Sequence, residues 1–183
     1  IRAGEALGKD MSAYRCLYQK IVHAFRAYFM ENGMPKAELP YTEVCVNGHA
    51  PIDTTRRGVT QTALTLILHF GLCTESERPA LAARLAEMIR AAGTHLETGF
   101  VGTPYLLHAL SDNGYAALAY DLLLQTSAPS WLYSVRHGAT TMWEHWDSIR
   151  EDGSFWSTDM NSFNHYAYGA VYDWIFGAAA GVK

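Results

Sequence analysis

From residue 11 onward, apolar side chains recur every three or four positions. Tyr14, Leu17, Tyr18, Ile21, Val22, Phe25, Tyr28 and Phe29 form one stripe, which predicts a helix over 11–30. Asn32-Gly33 ends it, and Pro35 prevents its continuation. Residues 34–58, punctuated by glycine and by Pro35, Pro40 and Pro51, read as a long loop. A loop of that length in a compact domain is usually functional or peripheral.

Helical spacing resumes at 60–70 and is closed by Gly71. Ser76 is placed to cap a third helix over 79–92, with Pro79 in the first turn, where a missing N–H costs little. The turn at 99–104 feeds a helix over 104–110, Ser111-Asp-Asn-Gly114 breaks the chain, and another helix follows over 115–125. Residues 126–163 lack helical period and are rich in Ser, Thr, Gly and Trp. Within them, 131–135 reads as one short strand. A last helix is expected over 166–180, with small residues on one side. The pattern is all-α, built from antiparallel helical hairpins. About six helices alternating in direction make half of an (α/α)6 toroid. Long loops at one end of that scaffold are where a site is expected.

The length of 183 residues suits one domain, and 49% apolar residues supply a sizeable core. A formal charge of −4 with no basic block argues against nucleic acid, and no apolar run reaches membrane-helix length. Cys16, Cys45 and Cys73 are odd in number and widely spaced, so they read as three buried thiols rather than a disulfide framework or zinc site. That pattern mildly favours a reducing compartment, and the location stays open between cytoplasm and periplasm. The chain begins at Ile1, not Met, consistent with a piece of a longer protein.

Aromatic residues reach 13% and concentrate in two segments. GATTMWEHWD at 138–147 sets Glu144 among Trp143, His145, Trp146 and Asp147, with Thr140 and Thr141 just before it. MNSFNHYAYGAV at 160–171 follows with Asn161, Asn164, His165 and tyrosines. Aromatic faces around one acid suit a sugar, whose C–H patches stack on indole and whose hydroxyls need polar partners. The same residues also read as core: Trp143, Trp146 and Trp131 are either platforms or packing. Asn161 and Asn164 cap the last helix or hold the loop, and Asp147 is a supporting or turn residue. His165 by itself is a histidine in a first helical turn, bonded to backbone. Glu151-Asp152 before Gly153 reads as a solvated turn. His95 and Glu97 do not make a metal site, so neither metal nor cofactor is expected.

Four stretches in order, GFVGTPYLLHAL, PSWLYSV, GATTMWEHWDSI and MNSFNHYAYGAV, resemble the C-terminal half of the catalytic domain of bacterial α-L-rhamnosidases of glycoside hydrolase family 78. TQTALTLILHFGL and HLETGFVGTP fit as well, and the resemblance is strongest over 55–181. It implies that 1–183 is a partial six-hairpin catalytic domain lacking the N-terminal half of its barrel, in an enzyme that releases terminal α-L-rhamnose with inversion. It implies Glu144 as general base, His165 as a sugar contact, and Trp146 and Trp143 as pocket residues. Thr140, Thr141 and His165 would supply donors to the carboxylate. His145 stands where the family usually has Arg. The family's acidic, Trp-bearing general-acid segment has no counterpart here, and Glu31, Glu38 and Glu43 lie in the wrong context. The expected partners are a rhamnose-containing glycoside or polysaccharide, and the missing half of the barrel or a self-association partner. The alternatives are a non-catalytic helical module for sugar binding or subunit association, and another (α/α)6 carbohydrate enzyme such as an unsaturated-glucuronyl hydrolase.

Overall fold

A computed structural model describes residues 1–37 and 58–182. Most of the expected 34–58 loop, with Glu38, Glu43 and Cys45, therefore lies outside the described residues. After a short α1 (Arg2–Ala6), α2 spans Ser12–Phe29. It ends in a tight hairpin of β1 (Met30–Glu31) and β2 (Met34–Pro35), paired antiparallel through Met30↔Pro35 and Glu31↔Met34. Asn32 and Gly33 both take positive φ, as a two-residue hairpin turn with the twist of its strands requires.

The body is built from α3 (Gln61–His69), α4 (Arg78–Ala91), α5 (Thr103–Ser111) and α6 (Ala116–Leu123). Thr60 caps α3 by accepting from Ala63 N at 3.0 Å. Ser76 does not cap α4. Its hydroxyl pairs with Thr74 Oγ1, while Glu77 closes the turn by accepting from Thr74 N at 2.8 Å. Pro79 does fall in the first turn of α4. Gly114, at φ 87°, lets Tyr115 N return to Leu110 O at 2.9 Å, which closes α5 and redirects the chain into α6. α3 packs against both α4 and α5, and α5 against α6. Their facing side chains, among them Leu64, Ile67, Leu81, Leu85, Ile89, Leu106, Leu110 and Leu122, form one buried core. Fully buried Gln61 straps the 93–98 segment onto this core, donating to His95 O at 3.2 Å and accepting from Glu97 N at 2.8 Å. His95 is structural: its ring bonds Ala92 O and Ser127 Oγ.

Two expectations fail in the C-terminal third. Residues 131–135 are not a strand; α7 is a helix over Trp131–Arg136. Aromatic and branched residues favour strands, but buried Ser130 caps the turn through Tyr133 N at 3.1 Å, and this local bond outweighs the propensity. The helix expected over 166–180 is broken into a 3₁₀ turn (Ala167–Ala170), α8 (Val171–Trp174) and a wide π turn (Ile175–Ala179). Gly169 and Gly177 weaken a regular helix there, and the Trp131 indole takes the Tyr168 carbonyl at 2.9 Å. The Trp174 indole ties α8 to α5 through Ser111 Oγ at 2.9 Å.

The stripe of α2 divides into two faces. Phe25 packs on the core, Tyr18 donates to the Phe70 and Gly71 carbonyls, and Arg26 pairs with Glu77. Tyr14, Leu17, Ile21 and Tyr28 face away and stay 46–60% exposed. At the opposite end of the chain Leu124, Val135, Tyr172 and Phe176 are likewise bare. Cys73 is buried, but Cys16 lies on the exposed side of α2, against the expectation of a buried thiol. Among the described residues, no helix is long and apolar enough to cross a membrane.

Candidate carbohydrate site

The two aromatic segments, 138–147 and 160–171, lie side by side. Thr141 Oγ1 donates to Phe163 O, His165 N to Met142 O at 2.8 Å, and Glu144 N to Ser162 O at 2.9 Å. Ser162 N in turn donates to Glu144 Oε2 at 2.9 Å. The carboxylate of Glu144 thus sits partly exposed on a segment fastened to the one that carries His165. Its donor is a backbone N–H. The hydroxyl of Thr141, expected to serve the carboxylate, is instead spent on a carbonyl, and Thr140 lines a neighbouring cleft.

The aromatic residues sort into two roles. Trp143, 5% exposed and edge-on to Phe163, is packing rather than a platform. Trp146 is partly exposed; its ring stacks on Tyr168 at 3.7 Å between centroids and meets Trp131 edge-on at 5.3 Å. His165 stacks on Phe100 at 4.6 Å, and its Nδ1 accepts from Ala167 N at 3.4 Å, so Nε2 carries the proton. Phe100 also touches Tyr168, joining Trp146, Tyr168, Phe100 and His165 into one aromatic surface. Burial, and then the neighbouring Glu144 charge, push the Tyr168 phenol above its ordinary range, so it stays a protonated donor near the carboxylate.

Tyr168 lies in the aromatic segment 160–171, but neither it nor Phe100 was singled out as a site residue; only the fold brings Phe100, from the turn before α5, against His165 and Tyr168. Ser148 was missed too. Fully buried, it exchanges hydrogen bonds with the His145 backbone, and its carbonyl accepts from Asn161 Nδ2 at 2.9 Å and Trp156 N at 3.1 Å. Asn161 therefore holds the loop and does not cap a helix. His145 lies flat on Trp156 at 3.5 Å, a stacking role that a guanidinium plane could also fill. Asp147 makes no hydrogen bond among the described residues; with Glu151 and Asp152 it adds to the burial that raises the Tyr133 phenol. A cleft of 610 Å³ opens beside this surface, walled by Trp131, Thr140, Thr141, Met142 and Tyr166; Glu144, Trp146 and His165 are not in its wall. Among the described residues, no group of three or more His, Cys, Asp or Glu is gathered to hold a metal ion.

Antiparallel helical hairpins carrying an acid and aromatic rings on the loops at one end define a helical glycosidase-type domain. Comparison with known proteins is more specific. The family described as the bacterial alpha-L-rhamnosidase 6 hairpin glycosidase domain matches residues 1–179, and the chain belongs to that family. It is 42% identical over 182 residues to an alpha-L-rhamnosidase of Streptomyces avermitilis, covering 99% of this chain and 16% of that protein. It is 37% identical over 183 residues to one from Formosa agariphila, covering 99% and 18%. Among solved structures, the Streptomyces avermitilis alpha-L-rhamnosidase complexed with L-rhamnose aligns at TM-score 0.79 and 40% identity, over 98% of this chain and 16% of that one. The native enzyme of Aspergillus terreus aligns at TM-score 0.75 and 33% identity, over 94% and 18%. The chain thus spans about one sixth of the length of these relatives. The helical-hairpin, part-toroid architecture is that of the family, and the match extends through α2, beyond the segment where the sequence resemblance is strongest.

Proposed function

We propose that residues 1–183 form part of the catalytic domain of an inverting α-L-rhamnosidase and supply its general base, Glu144. The observation that carries this is the reciprocal pairing of Glu144 with Ser162, which holds a partly exposed carboxylate beside the segment of His165. Inversion needs two carboxyl groups separated by roughly 6.5–9.5 Å, leaving room for a water. Glu144, as carboxylate, takes a proton from that water while the water attacks the anomeric carbon. The proton donor to the departing oxygen comes from outside this chain. The Ser162 N–H donates directly to Glu144 Oε2 and fixes the orientation of the carboxylate. Nε2–H of His165 donates to a sugar hydroxyl, and the Trp146 face offers apolar contact to the ring.

Two bare apolar faces, one on α2 and one formed by Leu124, Val135, Tyr172 and Phe176, favour an associated state. A half ring has two open ends. In this reading, the rest of the toroid covers them, or a second copy does so in the isolated chain. The 183-residue chain alone is then expected to hydrolyse aryl α-L-rhamnosides negligibly.

The direct test is Glu144→Gln in the complete gene product, assayed on an aryl α-L-rhamnoside. Turnover should fall at least about 100-fold, the lower end of the general-base contribution, with rhamnose affinity largely kept. Near-normal turnover would remove Glu144 from the role, and a product with retained anomeric configuration would refute inversion.

A further inference from the structure

A second cleft, distinct from the one walled by Trp131 and Tyr166, is lined by the two neighbours of Ser162, which anchors Glu144. Ser162 gives its N–H to Glu144, and its neighbours Asn161 and Phe163 both wall an open cleft of 370 Å³. Its remaining wall is Phe155, Ser157, Thr158 and Asp159. This volume lies at the lower end of small-molecule sites and has room for about one sugar ring.

The lining has carbohydrate chemistry. Phe155 and Phe163 meet edge to face at 5.8 Å. Phe155 is 55% exposed, yet its backbone is fixed by a bridge to Ile149, with Arg150 N bonded to Ser154 O at 2.8 Å alongside. An exposed aromatic ring on a bridged backbone, resting edge to face on a second ring, offers a platform for a C–H face. Beside it, the Asp159 carboxylate has no hydrogen-bond partner among the described residues and can accept from ring hydroxyls. Ser157 Oγ already accepts from the Asp159 and Met160 N–H groups, and its proton remains available to donate.

We propose that this cleft is an accessory saccharide site, which holds one pyranose ring of a polysaccharide substrate away from the bond being cut. It rests on the reading of the chain as part of a rhamnoside hydrolase and adds a second foothold for long substrates. Two weak contacts on one polymer reinforce each other, so the site acts on KM for polymers and contributes nothing to a substrate too small to reach it.

The test uses the complete gene product, with Phe155→Ala and Asp159→Asn compared with the wild type. Each is assayed on a soluble polysaccharide bearing terminal α-L-rhamnose and on an aryl α-L-rhamnoside. The ratio of kcat/KM on polymer to kcat/KM on aryl substrate should fall about 5- to 10-fold in Phe155→Ala and about 3-fold in Asp159→Asn, mostly through KM. A loss of folded enzyme lowers both values equally and leaves the ratio alone. An unchanged ratio in both variants overturns the proposal. If even the wild type cleaves neither substrate, the catalytic reading fails by itself. Retardation by the same polysaccharide in affinity electrophoresis then decides the site: weaker retardation of both variants supports it, and equal retardation overturns it.

Discussion

Protonating Glu77 should loosen α2 from the rest of the domain. Glu77 accepts from both terminal nitrogens of Arg26, at 2.5 and 2.9 Å, and from Thr74 N at 2.8 Å. The Arg26 fork first, and the Thr74 amide second, hold its carboxyl at about 2, below its ordinary 4.5. A carboxyl depressed by folding adds stability above its unfolded value and loses it as the pH falls toward the folded one. The window therefore runs from 4.5 down to about 2. The whole displacement corresponds to about 3 kcal/mol. The Arg26 and Glu77 side chains keep 29% and 19% of their exposure, so solvent screening lowers the expected contribution to about 1–2 kcal/mol.

The consequence is local, because this pair joins α2 to the start of α4 and no residue of α2 is fully buried. Amide exchange in α2 should accelerate as the pH falls from about 5 to about 3, after correction for intrinsic rates, with protection in α3 and α5 lost later. Glu77→Gln should show weak α2 protection already at about pH 5 and little further change. Denaturant unfolding should give the wild type about 1–2 kcal/mol more acid sensitivity than Glu77→Gln between about pH 5 and about pH 2. Parallel pH profiles for the two proteins would refute the reasoning.

Other consequences follow from single hydroxyls and from the core. Ser130→Ala removes the cap of α7 and should cost about 1 kcal/mol, read as a lower denaturant midpoint. Ser148→Ala strands the part-buried His145 N–H and should cost about 1–2 kcal/mol, with faster proteolytic cleavage within 148–160 as the local readout. Leu106→Ala, in the middle of α5, should lower stability by about 2–5 kcal/mol by thermal or denaturant unfolding.

The parts of this fold that could be read from the sequence are those whose causes are local. Gly71 after α3, Pro79 in the first turn of α4 and Gly114 after α5 each act within a few residues, and each element appears where expected. The 131–135 segment failed on the same ground. Its aromatic and branched composition predicts a strand, while the cap at Ser130 just ahead of it selects the helix. The residue types of the site, Glu144 and His165, stood out because acids and imidazoles among aromatics are chemically conspicuous. What fixes their mutual position did not stand out, because it is made of a Ser162 backbone pair, a buried Ser148 and a Phe100 arriving from the start of α5. Serines and backbone amides occur everywhere, and only the fold selects which of them meet. The same limit explains α2. Periodicity reports that Tyr14, Leu17, Ile21 and Tyr28 share a face requiring cover, but it carries no information about what provides it.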